Sequence, residues 1–571
     1  MAISSFPRGW LRPVRVLAAL TVMGLVLALL TPGSSATTAQ PDQANPWTRV
    51  DDPGVANRSA RPAEIRTTRF AGFTLDRPAM AAGLARVAQA PLSEVTLPTP
   101  SGEFQRFRLH ESPVMEAGLA AAHPEIRTYA GRGIDDPTAT VRADLTPLGF
   151  HASVRSESGS WFVDPYYRND QSLYASYYGH DLENPSGPLV EHEEVEELLE
   201  DLAPAATQPT VRLRTYRLAL VTDPSYANYF GAANVTAAKV TLVNRVTQVY
   251  EDETAIRLVL INDTAKTNLN TTALASEPNG PCGAAPCYTP AQLSTCSGGT
   301  LNRNVIALGQ LVGASNYDVG HIGLGVNGGG VAGLAVVGGA NKARGCTGLP
   351  TPVGDFFAVD YVAHEIGHQF AGNHTFNGTQ HNCSGGNRSA ANSYEPGSGS
   401  SIMAYAGICR QDNLQPHSDP YWSHRSYTEI TTFVNSERPP VNEVQTVSLR
   451  EFDTNGDAFS LIFGGQLSAP IVRGVNYTPA GIKAAIEGIR NWPAGATVTV
   501  AGFGGGTFDD TGFQVTFNGG PVATTNVDQL GLADTVGTSG FVGETVKGGA
   551  VDNGGIRVDD TGNHAPVVSL P

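Results

Sequence analysis

Short stretches of alternating apolar and polar residues fill the first third of the chain after its start. "ATVRADL" (139–145), "GFHASVRS" (149–156) and "SWFVDPYY" (160–167) have the two-residue period of half-buried strands. From "LRTYRLALVTD" (213–223) the pattern changes. That stretch predicts a strand. Over 232–251, Val235, Leu242, Val246, Val249 and Tyr250 fall on one face of a helix. "AIRLVLI" (255–261) predicts a buried strand, and "NVIALGQLVG" (304–313) and "YDVGHIGLGV" (317–326) predict two more. Strand, helix and strand in succession point to an α/β unit. From about 440, "FSLIFGGQ", "ATVTVAGF" and "FQVTFNGG" predict short strands between glycine turns. One helix is expected among them, with Thr478 as cap, Pro479 at its first position and Ile482, Ile486 and Ile489 on one face.

Length adds that 571 residues exceed one ordinary core, so two to four domains are expected. The composition, 41% hydrophobic and 16% charged, is globular, and 64 glycines with 38 prolines favour strands and loops over helical bundles. A net charge of −16 argues against a nucleic-acid partner, whose phosphates it would repel. Arg8, Arg12 and Arg15 precede an apolar run over 16–30, and "TPGSSA" follows. This is the pattern of a signal peptide cut after Ala36 or Ala39, and the run is shorter than the roughly 20 residues a membrane span needs. Secretion is expected, with no membrane span once the signal is removed. Seven acids within 191–201, followed by Ala, Pro and Thr, predict a solvated linker open to proteolysis. Cys282, Cys287, Cys296, Cys346, Cys383 and Cys409 lie in one region of an exported chain, which predicts three disulfides. Cys383 and Cys409 bracket one loop and are expected to pair.

The candidate chemistry sits in "YVAHEIGHQFAGNHTF" (361–376). On a helix, His364 and His368 stand one turn apart on the same face, close enough to share one metal ion. Glu365 lies beside them, where it can reach a water on that ion. Gly372 is suited to end the helix, so that His374 returns as a third ligand. Three protein ligands leave one zinc position open, as in catalytic sites.

HExxHxxGxxH followed by a methionine turn is the metzincin signature. "HEIGHQFAGNHTF", "CSGGNR" and "YEPGSGSSIMAYAGIC" together resemble the secreted bacterial reprolysin-like zinc metalloproteases over about 212–435. The resemblance implies a multidomain protein with an α/β (α+β) metzincin catalytic domain, a mixed sheet and a zinc-binding active-site helix. A β-rich propeptide would precede that domain and a small β-rich module would follow it. The expected bounds are 1–39 for the signal peptide, 40–208 for the propeptide with its acidic linker at 191–208, and 209–437 for the protease domain. The module would span 440–562, and 563–571 resembles the start of a further β-sandwich repeat. The implied function is a secreted zinc metalloendopeptidase, made as an inactive precursor and monomeric, which cuts proteins or peptides. One Zn2+ would be held by His364, His368 and His374, with Glu365 as general base and Met403 as the floor of the site. Ser-x-Met-x-Tyr at 401–405 resembles astacins and serralysins, whose tyrosine reaches the zinc. Tyr405 is therefore a candidate zinc ligand or oxyanion donor, or else a packed ring under the turn. Substrate is expected as an added strand along 320–333, touching Gly320, His321, Ile322, Gly323 and Leu324. His321 itself is expected to be structural, because three histidines already complete the site.

Two positions depart from the pattern. Ala371 stands where the signature has glycine, so either alanine takes the left-handed conformation at about 1–2 kcal/mol or the helix runs one residue further. Thr375 stands where animal reprolysins place aspartate. "DTNGD" (453–457) resembles the start of a calcium loop, but position twelve is Gly464, so a Ca2+ site lacks support and a turn is expected. The rival function is a catalytically inactive metzincin-fold binding protein, or an adhesin acting through its C-terminal module.

Overall fold

The computed structural model describes residues 45–50, 62–89, 93–183 and 212–557. The expected signal peptide, the acidic linker and the residues 563–571 lie outside the described residues. Among the described residues, no helix is long and apolar enough to cross a membrane.

The N-terminal part is one antiparallel nine-stranded sheet. Its strands are β1 (Trp47–Val50), β2 (Ala71–Leu75), β3 (Ser93–Pro98), β4 (Phe104–Glu111), β5 (Arg127–Gly133), β6 (Thr140–Thr146), β7 (Gly149–Arg155), β8 (Trp161–Tyr167) and β9 (Asp170–Tyr178). They lie in the order β1-β2-β9-β8-β7-β6-β5-β4-β3. The sheet curls on itself, for the Trp47 indole on β1 donates to the Thr96 carbonyl on β3 at 3.0 Å. Helix α1 (Arg77–Gln89) places Met80, Leu84 and Val87 in the same core as Phe73, Phe107, Phe150 and Trp161. β6 and β8 are buried along their whole length, because their second face meets the next domain.

The central domain is built on β10 (Arg214–Thr222), β11 (Ile256–Leu260), β12 (Val319–Leu324), β13 (Gly329–Ala332) and β14 (Gly345–Gly348). The order is β11-β10-β12-β14-β13, parallel except for β13, which runs antiparallel at the edge. Helix α2 (Ala117–Ala122) belongs to the N-terminal part, and α3 (Pro224–Phe230) is capped by the Asp223 carboxylate. The long helix α4 (Val235–Thr254) lies between the two sheets and contacts both β6 and β11. After the short α5 (Thr272–Ala275) comes α6 (Gly298–Leu311). The strand expected at 304–313 is therefore the second half of a helix. Leu301, Val305 and Leu308 make its buried stripe, and Ser297 caps it by accepting from the Thr300 N–H at 3.3 Å. A short apolar run fits either period, and the cap at Ser297, seven residues before the run, decides.

The two parts share one core. Val114, Met115, Leu119 and Ile126 pack in the same cluster as Leu258, Leu260, Val362 and Ile366. The Leu260 N–H donates to the Val114 carbonyl, and the Glu116 N–H to the Leu260 carbonyl, both at 2.9 Å. The N-terminal segment thus makes a single parallel bridge, at Met115, to the edge of β11.

The C-terminal module holds two sheets, one of β19 (Thr497–Ala501), β20 (Gly512–Gly519), β15 (Glu443–Arg450) and β22 (Ser539–Val546). The other joins β16 (Ala458–Phe463) to β17 (Gln466–Leu467), β18 (Ile471–Val472) and β21 (Gly531–Val536). The expected helix is present at Pro479–Glu487, where Thr478 accepts from the Gly481 N–H. The module does not close at its own edge. β23 (Ile556–Arg557) leaves it and pairs antiparallel with Arg214 and Thr215 of β10. Asn553 is buried there, donating to the Ser436 carbonyl at 3.1 Å and accepting from the Tyr216 hydroxyl at its own carbonyl at 2.7 Å.

Candidate metal centre

The helix α7 enters the site as wide π-type turns over Phe356–Ala363 and continues as regular helix over His364–Gln369. Such turns favour functional helices, because they re-aim the side chains that follow. The four-residue step sets His364 and His368 on one face. The chain then reverses at Ala371, whose φ is +76°, so the left-handed residue is Ala371 and not Gly372. The Ala371 N–H donates to the His368 carbonyl and the Gly372 N–H to the Gly367 carbonyl, both at 2.8 Å. This closes the helix and returns His374 toward its two partners.

The three Nε2 atoms lie 3.1–3.2 Å from one another. Each Nδ1 is 2.6 Å from a backbone carbonyl: Ile402 for His364, Gly372 for His368 and Asn387 for His374. A carbonyl only accepts, so each Nδ1 carries the proton and each Nε2 turns a lone pair to the shared centre. Three buried acceptors facing one another have no mutual attraction. A cation about 2.0–2.1 Å from each nitrogen satisfies all three. The donor set, neutral imidazoles with oriented outer nitrogens, fits zinc. Among the described residues this is the one group of metal-ligating side chains that converges on a point.

Glu365 is buried beside the triad. Gly330 of β13 passes against it so closely that a Cβ there would collide with Glu365 Oε1. Met403 is fully buried beneath the helix, and a Cβ on Gly367 would collide with its sulfur.

Residues 232–425 match the family model described as metallo-peptidase family M12B, reprolysin-like. This region is a reprolysin-like metallopeptidase domain. Among solved structures, the chain is similar to metalloproteinase-II from Bacteroides fragilis at 11% identity and a TM-score of 0.34, covering 65% of this chain and 97% of that one. No curated protein matches the sequence.

Within the metallopeptidase domain, the remaining expected site residues fall in different places. The substrate strand expected at Gly320, His321, Ile322, Gly323 and Leu324 is corrected: these residues form β12, which is hydrogen-bonded to β10 on one side and β14 on the other. A strand paired on both edges has no groups left for an added peptide. The open edge is β13, Gly329–Ala332. His321 is buried and tied to the structure. Its Nδ1 meets Gln369 Oε1 at 3.1 Å and its Nε2 meets the Thr347 hydroxyl at 2.7 Å. Burial pushes its pKa down to about 4, so the ring is neutral. Gln369 also donates to the Gly320 carbonyl at 2.9 Å, which fastens α7 to β12. Tyr405 is buried, its ring 4.5 Å from that of His374 and stacked on Phe376 at 4.3 Å.

The disulfides are Cys282–Cys287, Cys296–Cys346 and Cys383–Cys409. The last joins the loop that carries Asn387, the acceptor for His374, to the chain beyond the methionine turn. In "DTNGD", Asp457 accepts the N–H groups of Asp453 and Thr454, and Arg473 donates to Asn455 at 2.9 Å. A guanidinium occupies that loop, which is therefore a turn. Three residues that the motif did not single out also shape the site: Asn387, Glu395 and Glu429. Asn387 acts through its carbonyl, which no residue type announces. Glu395 stood in plain view inside "YEPGSGSSIM".

Proposed function

We propose that the chain is an exported zinc-dependent endopeptidase made as an inactive precursor. The observation that carries this reading is the set of three Nε2 atoms facing one centre, with Glu365 beside it. His364, His368 and His374 would hold the ion. When bound, zinc supplies Lewis acidity, bringing the pKa of a water in its shell to about 7 and polarising a carbonyl oxygen. Glu365 takes the proton of the attacking water and delivers it to the leaving amine nitrogen. The open edge of β13 pairs with an extended peptide, and Gly330 lets that peptide lie over Glu365. Met403 fills the space under the ligand helix. The Tyr405 hydroxyl donates to the oxyanion that forms on the substrate.

The N-terminal sheet is the precursor segment, and it carries no cysteine within 41–210 that could block a metal as a thiolate. Cutting the chain between about 201 and 214, at and just after the acidic linker, is the activating step. The test measures zinc content and hydrolysis of unfolded casein before and after that cut. Cut and uncut chains should both carry zinc in equimolar amount, and only the cut chain should digest casein. A zinc-free chain contradicts the metal reading, and equal rates for cut and uncut chains contradict the precursor reading.

A further inference from the structure

His374 stands beyond the helix, after a left-handed turn, so nothing in α7 itself fixes its direction. Both of its neighbours are gripped instead. On one side the Asn373 N–H and Nδ2 donate to Glu429, each at 2.9 Å. Glu429 lies on the helix His424–Asn435. On the other side the Thr375 hydroxyl donates to Glu395 Oε2.

Glu395 does more than hold Thr375. Its Oε2 also accepts from the Ser401 hydroxyl at 2.5 Å. Its Oε1 accepts from the N–H groups of Ser400 and Ser401 at 3.1 and 3.2 Å. Four donors from two segments converge on one buried carboxylate. An ionised carboxylate is acceptor-only with about four lone-pair sites, so it is matched to this task. The two segments are those of the ligands. Thr375 follows His374, and Ser401 precedes Ile402, whose carbonyl receives the His364 Nδ1 proton. The path His374, Thr375, Glu395, Ser401, Ile402 and His364 thus runs through a single side chain. His368 needs no such link, because its Nδ1 bonds to Gly372 within its own turn.

We propose that Glu395 is a positioning residue that sets the separation of the first and third histidines and thereby the metal affinity of the site. This rests on the reading of the triad as a metal centre. The Asn373 grip by Glu429 holds only the turn, whereas Glu395 couples two ligands.

The test is Zn2+ affinity by competition with a chromophoric chelator at fixed pH, on the full chain. Glu395→Ala should bind Zn2+ about 10–100-fold more weakly than wild type, the usual loss when a partner behind a ligand is removed. Glu395→Gln should lose less, because its carbonyl still accepts from Ser400 and Ser401 while its amide faces the two hydroxyls. Thr375→Val removes only the hydroxyl link and should also weaken binding. It carries the test if Glu395→Ala does not fold. A folded Glu395→Ala or Thr375→Val that binds Zn2+ within about twofold of wild type overturns the inference, even if its thermal stability falls. A wild-type chain that fails to bind Zn2+ at all overturns the metal reading instead, and this inference with it.

Discussion

α4 and α7 lie in one core, yet the faces they present are made of opposite materials. The ligand face of α7 is mostly uncharged: imidazoles held by carbonyls, a glycine edge and a methionine floor, with Glu365 as its one carboxylate. The face of α4 toward the N-terminal sheet is charged. Glu251, Asp252 and Glu253 stand together in its last turn, where the helix dipole disfavours acids. Three arginines offset them. Arg142 on β6 bonds Glu251 at 2.7 Å, Arg155 on β7 bonds Asp252 at 3.2 Å and pairs with Glu253, and Arg257 bonds Glu251 at 2.7 Å. Burial would raise the Glu251 pKa, but Arg142 and Arg257 outweigh it and hold it at about 2. Further along, Arg245 pairs with Asp164 of β8, both nearly solvent-free. One face gathers three Nε2 atoms around one centre, and the other carries acids that the partner sheet's Arg142 and Arg155 neutralise together with Arg257 of β11.

That contrast can be broken from the charged side first. Asp164→Asn keeps the shape and removes the carboxylate that pairs directly with the buried Arg245. Removing one partner of a buried pair costs about 3–5 kcal/mol. Denaturant unfolding of the full chain should show that loss, while its zinc content stays at the wild-type level. A loss below about 1 kcal/mol would mean that water already screens the pair. On the neutral side, Tyr405→Phe removes only a hydroxyl. If that group donates to the oxyanion, turnover falls by roughly a hundredfold, within the 2.7–4 kcal/mol such donors contribute, with little change in substrate affinity. Unchanged turnover in folded, zinc-loaded protein would leave Tyr405 as a ring packed on Phe376. The smallest effect is expected at the turn between ligands. Ala371→Gly relieves a left-handed alanine and should stabilise the fold by about 1 kcal/mol or less, because the freer unfolded chain offsets part of the gain. Destabilisation by the same change would show that the alanine methyl packs usefully there.

Legibility follows the same division. The ligand face could be read because its geometry is local: His364, His368 and His374 fall within eleven positions, the 3.6-residue repeat pairs the first two, and a turn residue after the helix returns the third. The α4 stripe and the Thr478 cap were legible for the same reason. The docking face was not, since Arg142, Arg155 and Asp164 look like ordinary strand residues until the sheet is folded against a helix some hundred positions away. Chain order hid other features too. The run at 317–326 reads as a strand, but nothing local says that β14 covers its outer edge and leaves β13 open. The residues 551–557 read as the tail of a module, whereas their partner is the first strand of the central sheet. The π-type turns before His364 have no sequence signal that we can name.

The central claim, that this is a working zinc peptidase, is tested most directly at Glu365. Wild type and Glu365→Gln, both cut in the linker, are compared for zinc content and for turnover of a peptide library. The substitution removes the base and spares the three ligands. Zinc content should be equal in the two proteins, and turnover should fall by at least about a thousandfold in the variant. Equal turnover with equal zinc would contradict the account.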